Sequence, residues 1–272
     1  MAGNPHRLQR RSFIPHYPRT AAGRIWELMI LPALIVLGLY LVVRYSGLLP
    51  HSVAGVSLGM LAMNAALTLM RLGIAYILAL VIAVPLAIAA THSPLAQRIL
   101  LPLFDILQSV PILAFFPIIV AIFIHAGVTN GAAIFILFLA MLWNIVFALI
   151  GGVGLIPKDI LYAAEVYGVR GFAYFRRILL PAVVPQMIVG SILALAQGWN
   201  IIIVVEVIRT YLPPGSPIGN LPGLGSMLVS SAAEGQSSVF IVAFAAVVLI
   251  IACINFFVWQ RLLKYAQRFR FE

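Results

Sequence analysis

Apolar residues in this chain come in runs too long and too continuous for the one-sided face of a soluble helix. Six stretches, approximately 28–45, 65–90, 103–126, 132–152, 182–206 and 239–263, approach or exceed the roughly 20 residues that carry a helix across a ~30 Å hydrocarbon layer. The pattern predicts an all-α, polytopic membrane protein with six transmembrane helices. It also sets the organisation: an N-terminal tail over 1–27, a membrane domain over 28–263 and a C-terminal tail over 264–272. The third run is interrupted, since Pro102, Pro111 and Pro117 each lack a backbone donor and Asp105 and Gln108 are polar. The connection over 207–238 is rich in Pro, Gly and Ser and is expected to hold a short re-entrant or interfacial helix.

Composition agrees, with 63% hydrophobic and 9% charged residues. The net charge of +10 would raise nucleic-acid binding in a soluble protein. Here the basic residues cluster at the ends of apolar runs and read as topology signals, so no nucleic-acid partner is expected. If both termini are cytoplasmic, every Lys and Arg except Arg44, Arg71 and Arg209 falls on that side, together with the loop over 153–181. More than twenty residues precede the first run without a nearby small-residue cleavage site, so the N-terminus is expected to be an uncleaved cytoplasmic tail. The single Cys253 lies in an apolar run, where packing is its expected role, and the five histidines show no metal-ligand spacing. Lys158 and Lys264 are the only lysines, and neither sits in a phosphate-binding loop. Catalysis, metal binding and nucleotide binding by this chain are therefore unsupported.

Polar side chains at membrane depth are costly, roughly 2.5–3.5 kcal/mol for a central charge, and usually face a bundle interior or an aqueous cavity. The candidates are Asn64, Thr68, Asp105, Gln108, Asn144, Gln186, Gln197, Asn200 and Glu206. Bonding between helices is the plainer role for any single amide. Gln197-Gly198-Trp199-Asn200 combines two amides, an aromatic and a close-approach glycine. With Trp143-Asn144, and with Gln108 and Pro111 of the broken run, it is the expected lining of a solute pathway. Glu206 either pairs with Arg71 or Arg209 as part of a gate or is a solvated helix-end charge. Its negative sign argues against strong anion binding nearby.

One polar cassette is more specific. Tyr162-Ala163-Ala164-Glu165 is followed by Gly168 and, after nine intervening residues, by Ile178-Leu179-Leu180-Pro181. Small Ala163 and Ala164 let a helix approach a groove closely, Gly168 accepts the positive φ that stops a helix, and Pro181 marks the start of the fifth span. This spacing resembles the EAA loop of ABC importer permeases. The match extends through Thr68-Leu69-Met70-Arg71-Leu72-Gly73, Val110-Pro111-Ile112-Leu113-Ala114-Phe115-Phe116-Pro117, Trp199-Asn200 through Val205-Glu206, and Gly223-Leu224-Gly225. Over about 61–270 the chain is similar to the nitrate/sulfonate/taurine/bicarbonate branch, and within it to the anion-transport permeases.

The resemblance implies a type I importer permease fold in a bacterial inner membrane, with a cytoplasmic coupling helix. It implies ATPase subunits that bind ATP and Mg in place of any cofactor here, an extracytoplasmic substrate-binding protein, and a second permease subunit, either identical or a related half. Tyr162 stands where the family has its first Glu, and Glu165, three residues on, offers a carboxylate on a neighbouring face. The competing class, an ion-coupled carrier working alone, would show buried acids or histidines and internal repeats, and neither is evident.

Overall fold

The computed structural model describes residues 57–212, 219–266 and 268. The first expected span, over 28–45, and the N-terminal tail lie outside them. Each described regular element is helical. Helix α1 (Leu58–Thr91) starts at Ser57, whose hydroxyl oxygen accepts the Met60 N–H at 3.1 Å. Helix α2 (Pro94–Ser109) repeats that start: Ser93 accepts the Ala96 N–H at 3.1 Å, and Pro94 occupies a first-turn position whose N–H would have no partner. Val110 and Pro111 are extended, and a 3₁₀ turn over Ile112–Phe115 then leads into α3 (Phe116–His125). The two halves diverge by 66°.

The chain continues through α4 (Thr129–Gly154), the short α5 (Lys158–Val166) and α6 (Gly171–Glu206). A 3₁₀ turn over Ile208–Tyr211, α7 (Leu224–Ala233) and α8 (Ser237–Ala266) complete the described fold. Helices α1, α4, α6 and α8 are long and apolar enough to cross a membrane, and the bent α2–α3 pair makes a fifth such segment if taken as one span. These five occupy the second to sixth apolar runs, and α7 fills the connection expected to hold a short helix.

Three details differ from expectation. Pro102 lies inside α2 without breaking it, and the interruption falls at Pro111. Valine before proline is driven toward extended backbone, and Val110 has ψ 124°. The fifth span does not start near Pro181, because α6 is already helical from Gly171. It passes through a widened turn over Phe175–Leu179, in which the Leu180 N–H bonds Phe175 O, just before Pro181, which has no N–H to give. Cys253 is exposed on α8 and does not pack inside the described bundle.

Helix α4 is the centre of the bundle, with α1 on one side and α6 on the other. The buried face of α1 is a ladder of small residues, Ala75, Ala79, Ala83, Ala87 and Ala90, spaced one turn apart. Lipid tails are as apolar as any side chain, so close backbone approach and dispersion take the place of the hydrophobic effect as the cohesive force. Gly190 of α6 extends this logic, since a Cβ there would lie 2.5 Å from the Ala148 Cβ and 3.0 Å from the Asn144 carbonyl oxygen. Helix α8 is peripheral. It touches α6 through Trp259 and Ile188, and α7 through Ala243, Met227 and Leu228. Most of its apolar surface faces outward, as a lipid-facing helix requires.

Candidate functional site

Three features of the bundle carry chemistry, and the most enclosed is built on a charge pair. Arg71 of α1 and Glu206, the last residue of α6, meet with Nη1 and Oε1 2.8 Å apart, their side chains 1% and 0% exposed. Thr68, one turn before Arg71, donates its hydroxyl to Glu206 Oε1 at 2.7 Å and accepts the Leu224 N–H at 2.9 Å. Glu206 Oε2 accepts the N–H groups of Gly225 at 2.7 Å and Ser226 at 3.3 Å. Arg71 also donates from Nε to Asn130 Oδ1 at 2.9 Å and from Nη1 to the Pro222 carbonyl at 2.8 Å.

The first-turn donors of α7 are thus capped by side chains of two other helices, and the carboxylate sits where that helix's dipole is positive. Both glycines of Gly223-Leu224-Gly225 are required by this approach. A Cβ on Gly223 would overlap the Glu206 carboxylate, and one on Gly225 would lie 2.7 Å from Ile203 Cα. Glu206 is therefore not a solvated helix-end charge. Arg209 is exposed, and its backbone N–H bonds Asn220 Oδ1 at 3.1 Å. The sequence marks Arg71 as one of two possible partners of Glu206 and Thr68 only as a polar position one turn before it. Asn130, Pro222 and Ser226 carry no such signal.

On another face of α6 lies a cavity of about 500 Å³ between the bent α2–α3 segment and helices α4 and α6. Gln108, Trp143, Asn144 and Gln197 all line it, so four of the expected pathway residues come together. Its remaining lining is apolar, and among the described residues no charged side chain reaches it. Pro111 forms the extended break between two lining residues, Val110 and Ile112. Trp199 and Asn200 stand elsewhere: the first packs against the main apolar core, and the second is exposed, with its amide donating to Ala196 O at 3.0 Å.

The third feature is α5, between α4 and α6. Gly168 has φ +64°, its N–H bonds Glu165 O at 3.0 Å, and the Val169 N–H bonds Ala164 O at 2.8 Å. This pair of bonds closes a helix around a left-handed glycine. Tyr162, Ala163 and Glu165 are exposed, and Tyr167 is 83% exposed. Ala164 is 5% exposed and faces its own chain, so only Ala163 of the alanine pair is presented outward. Ile178, Leu180 and Pro181 are half-buried in the first turns of α6, not in a loop.

Known proteins resemble this chain over much of its length. NrtB, a nitrate import permease protein of Leptolyngbya laminosa, is 34% identical over 143 residues, 53% of this chain and 50% of its own length. TauC, a taurine transport system permease protein of Escherichia coli K12, is 28% identical over 187 residues, 69% of this chain and 63% of its own. CmpB, a bicarbonate transport system permease protein of Synechocystis, is 29% identical over 140 residues, 52% of this chain and 49% of its own. The chain spans about half the length of most of the curated relatives it matches. A chain of the MetNI methionine ABC transporter, solved in inward-facing conformations, superposes with a TM-score of 0.64 at 16% identity, covering 77% of this chain and 97% of that one, which establishes a common fold. Residues 79–268, from the middle of α1 to the end of α8, match one family along their whole length, and the chain belongs to the binding-protein-dependent transport system inner membrane components.

Proposed function

We propose that the chain is the membrane-spanning permease subunit of an ATP-driven importer, carrying a small anion or organic anion of the nitrate, sulfonate, taurine or bicarbonate class. The observation that carries this reading is α5. A nine-residue helix is stopped by a left-handed glycine, presents Tyr162, Glu165, Val166 and Tyr167 outward, and belongs to a member of a transport family. Exposed aromatic and aliphatic side chains at a helix tip are the usual material of a docking contact. Their occupant is the groove of an ATPase subunit, with Tyr162 and Glu165 on the docking side and Ala163 permitting close approach.

The assembly has two permease subunits, identical or related, two ATPase subunits and an external binding protein that delivers the solute. The cavity beside Gln108, Trp143, Asn144 and Gln197 is one subunit's share of the pathway, where amide and indole groups exchange hydrogen bonds with a partly dehydrated solute. A neutral lining suits transit, because a fixed cation would hold an anion too long. Arg71 does not act as an anion ligand, since its side chain is 1% exposed and its Nε and Nη1 donors already meet Glu206, Asn130 and Pro222.

The test is reconstitution in proteoliposomes with the co-purifying ATPase and binding protein, followed by uptake of labelled nitrate, taurine and bicarbonate with and without internal ATP. Uptake of at least one solute only with ATP is expected. Uptake driven by an ion gradient, with no ATPase present, would overturn the proposal.

A further inference from the structure

We infer that the pathway has one fixed wall and one moving wall: helices α1, α4, α6 and α7 are pinned into a block by the Arg71–Glu206 knot, and the bent segment Pro94–His125 moves against it. The inference rests on the permease reading and adds which part moves.

The block is held by directional contacts. Arg71, Thr68, Asn130 and Glu206 join α1, α4 and α6 to the first turn of α7, and Tyr76 of α1 donates to Ser191 Oγ of α6 at 2.8 Å. Close glycine contacts add to these, with Gly190 against Ala148 and Gly225 against Ile203. Sliding any of these helices strands buried polar groups or drives backbone into backbone.

The bent segment is held differently. Among the described residues, no side-chain hydrogen bond or ion pair joins Pro94–His125 to another helix. Asp105, Gln108 and Ser109 bond only within α2. Its ring contacts are Phe104 on Trp143 at 5.6 Å and Phe123 on Phe135 at 5.7 Å, both to α4 of the block, and Phe116 on Tyr211 at 4.5 Å, in the 3₁₀ turn that follows α6. Apolar contacts are non-directional and can be exchanged for neighbouring ones at little cost. Hinges are present as well, in the extended break at Val110 and Pro111 and in Gly127, with φ +74°, after α3. The cavity lies along this seam, with Gln108 and Phe115 on the moving side and Trp143, Asn144 and Gln197 on the fixed side. Displacing the segment opens or closes the cavity and leaves every bond of the knot intact.

Two cysteine pairs in a Cys253→Ala background test this in the complex with its ATPase. Phe116→Cys/Tyr211→Cys spans the seam. Asn64→Cys/Met227→Cys lies within the block, where Asn64 Nδ2 and Met227 Sδ are 3.9 Å apart. Cross-linking with a short bifunctional methanethiosulfonate is compared between nucleotide-free and vanadate-trapped complexes. The seam pair should change its yield by about threefold or more and the block pair by less than about 1.5-fold. Once cross-linked, the seam pair should suppress ATP hydrolysis reversibly, and the block pair should not.

If Phe116→Cys prevents assembly, Phe123→Cys/Phe135→Cys reads the same seam. A block pair that responds to trapping as strongly as the seam pair overturns the inference, as does a locked seam with parental turnover. Absence of vanadate-sensitive hydrolysis in the parent complex overturns the permease reading itself, and this inference with it.

Discussion

A guanidinium withdrawn from water keeps its charge only where every donor it turns inward finds an acceptor. At Arg71, Nε and Nη1 find theirs in Glu206, Asn130 and the Pro222 carbonyl. Arg71→Met should therefore destabilise the folded chain by about 3–5 kcal/mol, because it leaves a buried carboxylate facing only hydroxyl and backbone donors. Arg71→Met/Glu206→Gln, which removes both charges, should recover a substantial part of that loss. Midpoints of thermal aggregation in detergent for the two single variants and the double variant give the coupling directly. Additive midpoints would mean that the pair contributes nothing as a pair. The glycines make a second contrast. Gly225→Ala places its methyl against backbone, at Ile203 Cα, whereas Gly198→Ala meets the flexible ends of Met141 and Leu72. The first should lower the midpoint clearly more than the second in the same assay. Sequence reasoning reached Glu206 and named Arg71 as one of two partners but could not choose between them. Arg209 is three residues away and Arg71 is 135, and only the packing of α1 on α6 decides which guanidinium is turned inward.

Among the elements, α5 is where local residue chemistry and the fold agree most closely. The left-handed turn at Gly168 was legible because few residues besides glycine tolerate that φ, and the structure has it at +64°. Gly168→Val should cost more than the roughly 1–2 kcal/mol strain of an ordinary side chain in that region, since valine is branched at Cβ. It should misdirect the chain leaving α5 while sparing the spans. Ala163→Asp should leave the fold intact and place a carboxylate in the docking contact. Both variants should insert normally, yet co-purify with less ATPase and hydrolyse ATP more slowly. Full recruitment and turnover in both would remove α5 as the docking element. The start of α6 and the face of Ala164 were not legible. A helix can absorb Pro181 by widening the preceding turn, and which of two adjacent alanines points inward depends on the neighbouring spans. The alanine ladder of α1 went unread for a related reason: in a run with few polar positions, hydropathy does not mark which face is buried.

At the scale of the molecule, the apolar runs marked the order of the described spans well, because a bilayer leaves backbone polar groups few solutions besides helix. Sidedness rests on the basic residues, and it leads to a direct prediction. In a Cys253→Ala background, Glu234→Cys, just after α7, should react with an impermeant maleimide from outside intact cells. Phe172→Cys, at the start of α6, should react only in inverted vesicles. The opposite pattern would reverse the topology and put α5 out of reach of a cytoplasmic ATPase. The knot also bears on how the chain is made. Arg71 leaves the ribosome 135 residues before Glu206. At about 5–20 residues per second, roughly 7–27 s pass before its counter-charge exists. During that interval α1 carries a charge without its counter-charge, with Asn130 of α4 the earlier of its side-chain partners to be made. Biogenesis of this membrane domain is therefore not a simple sequence of spans settling one after another. An early helix is completed by a late one, and a chain interrupted before Glu206 carries an arginine without its counter-charge.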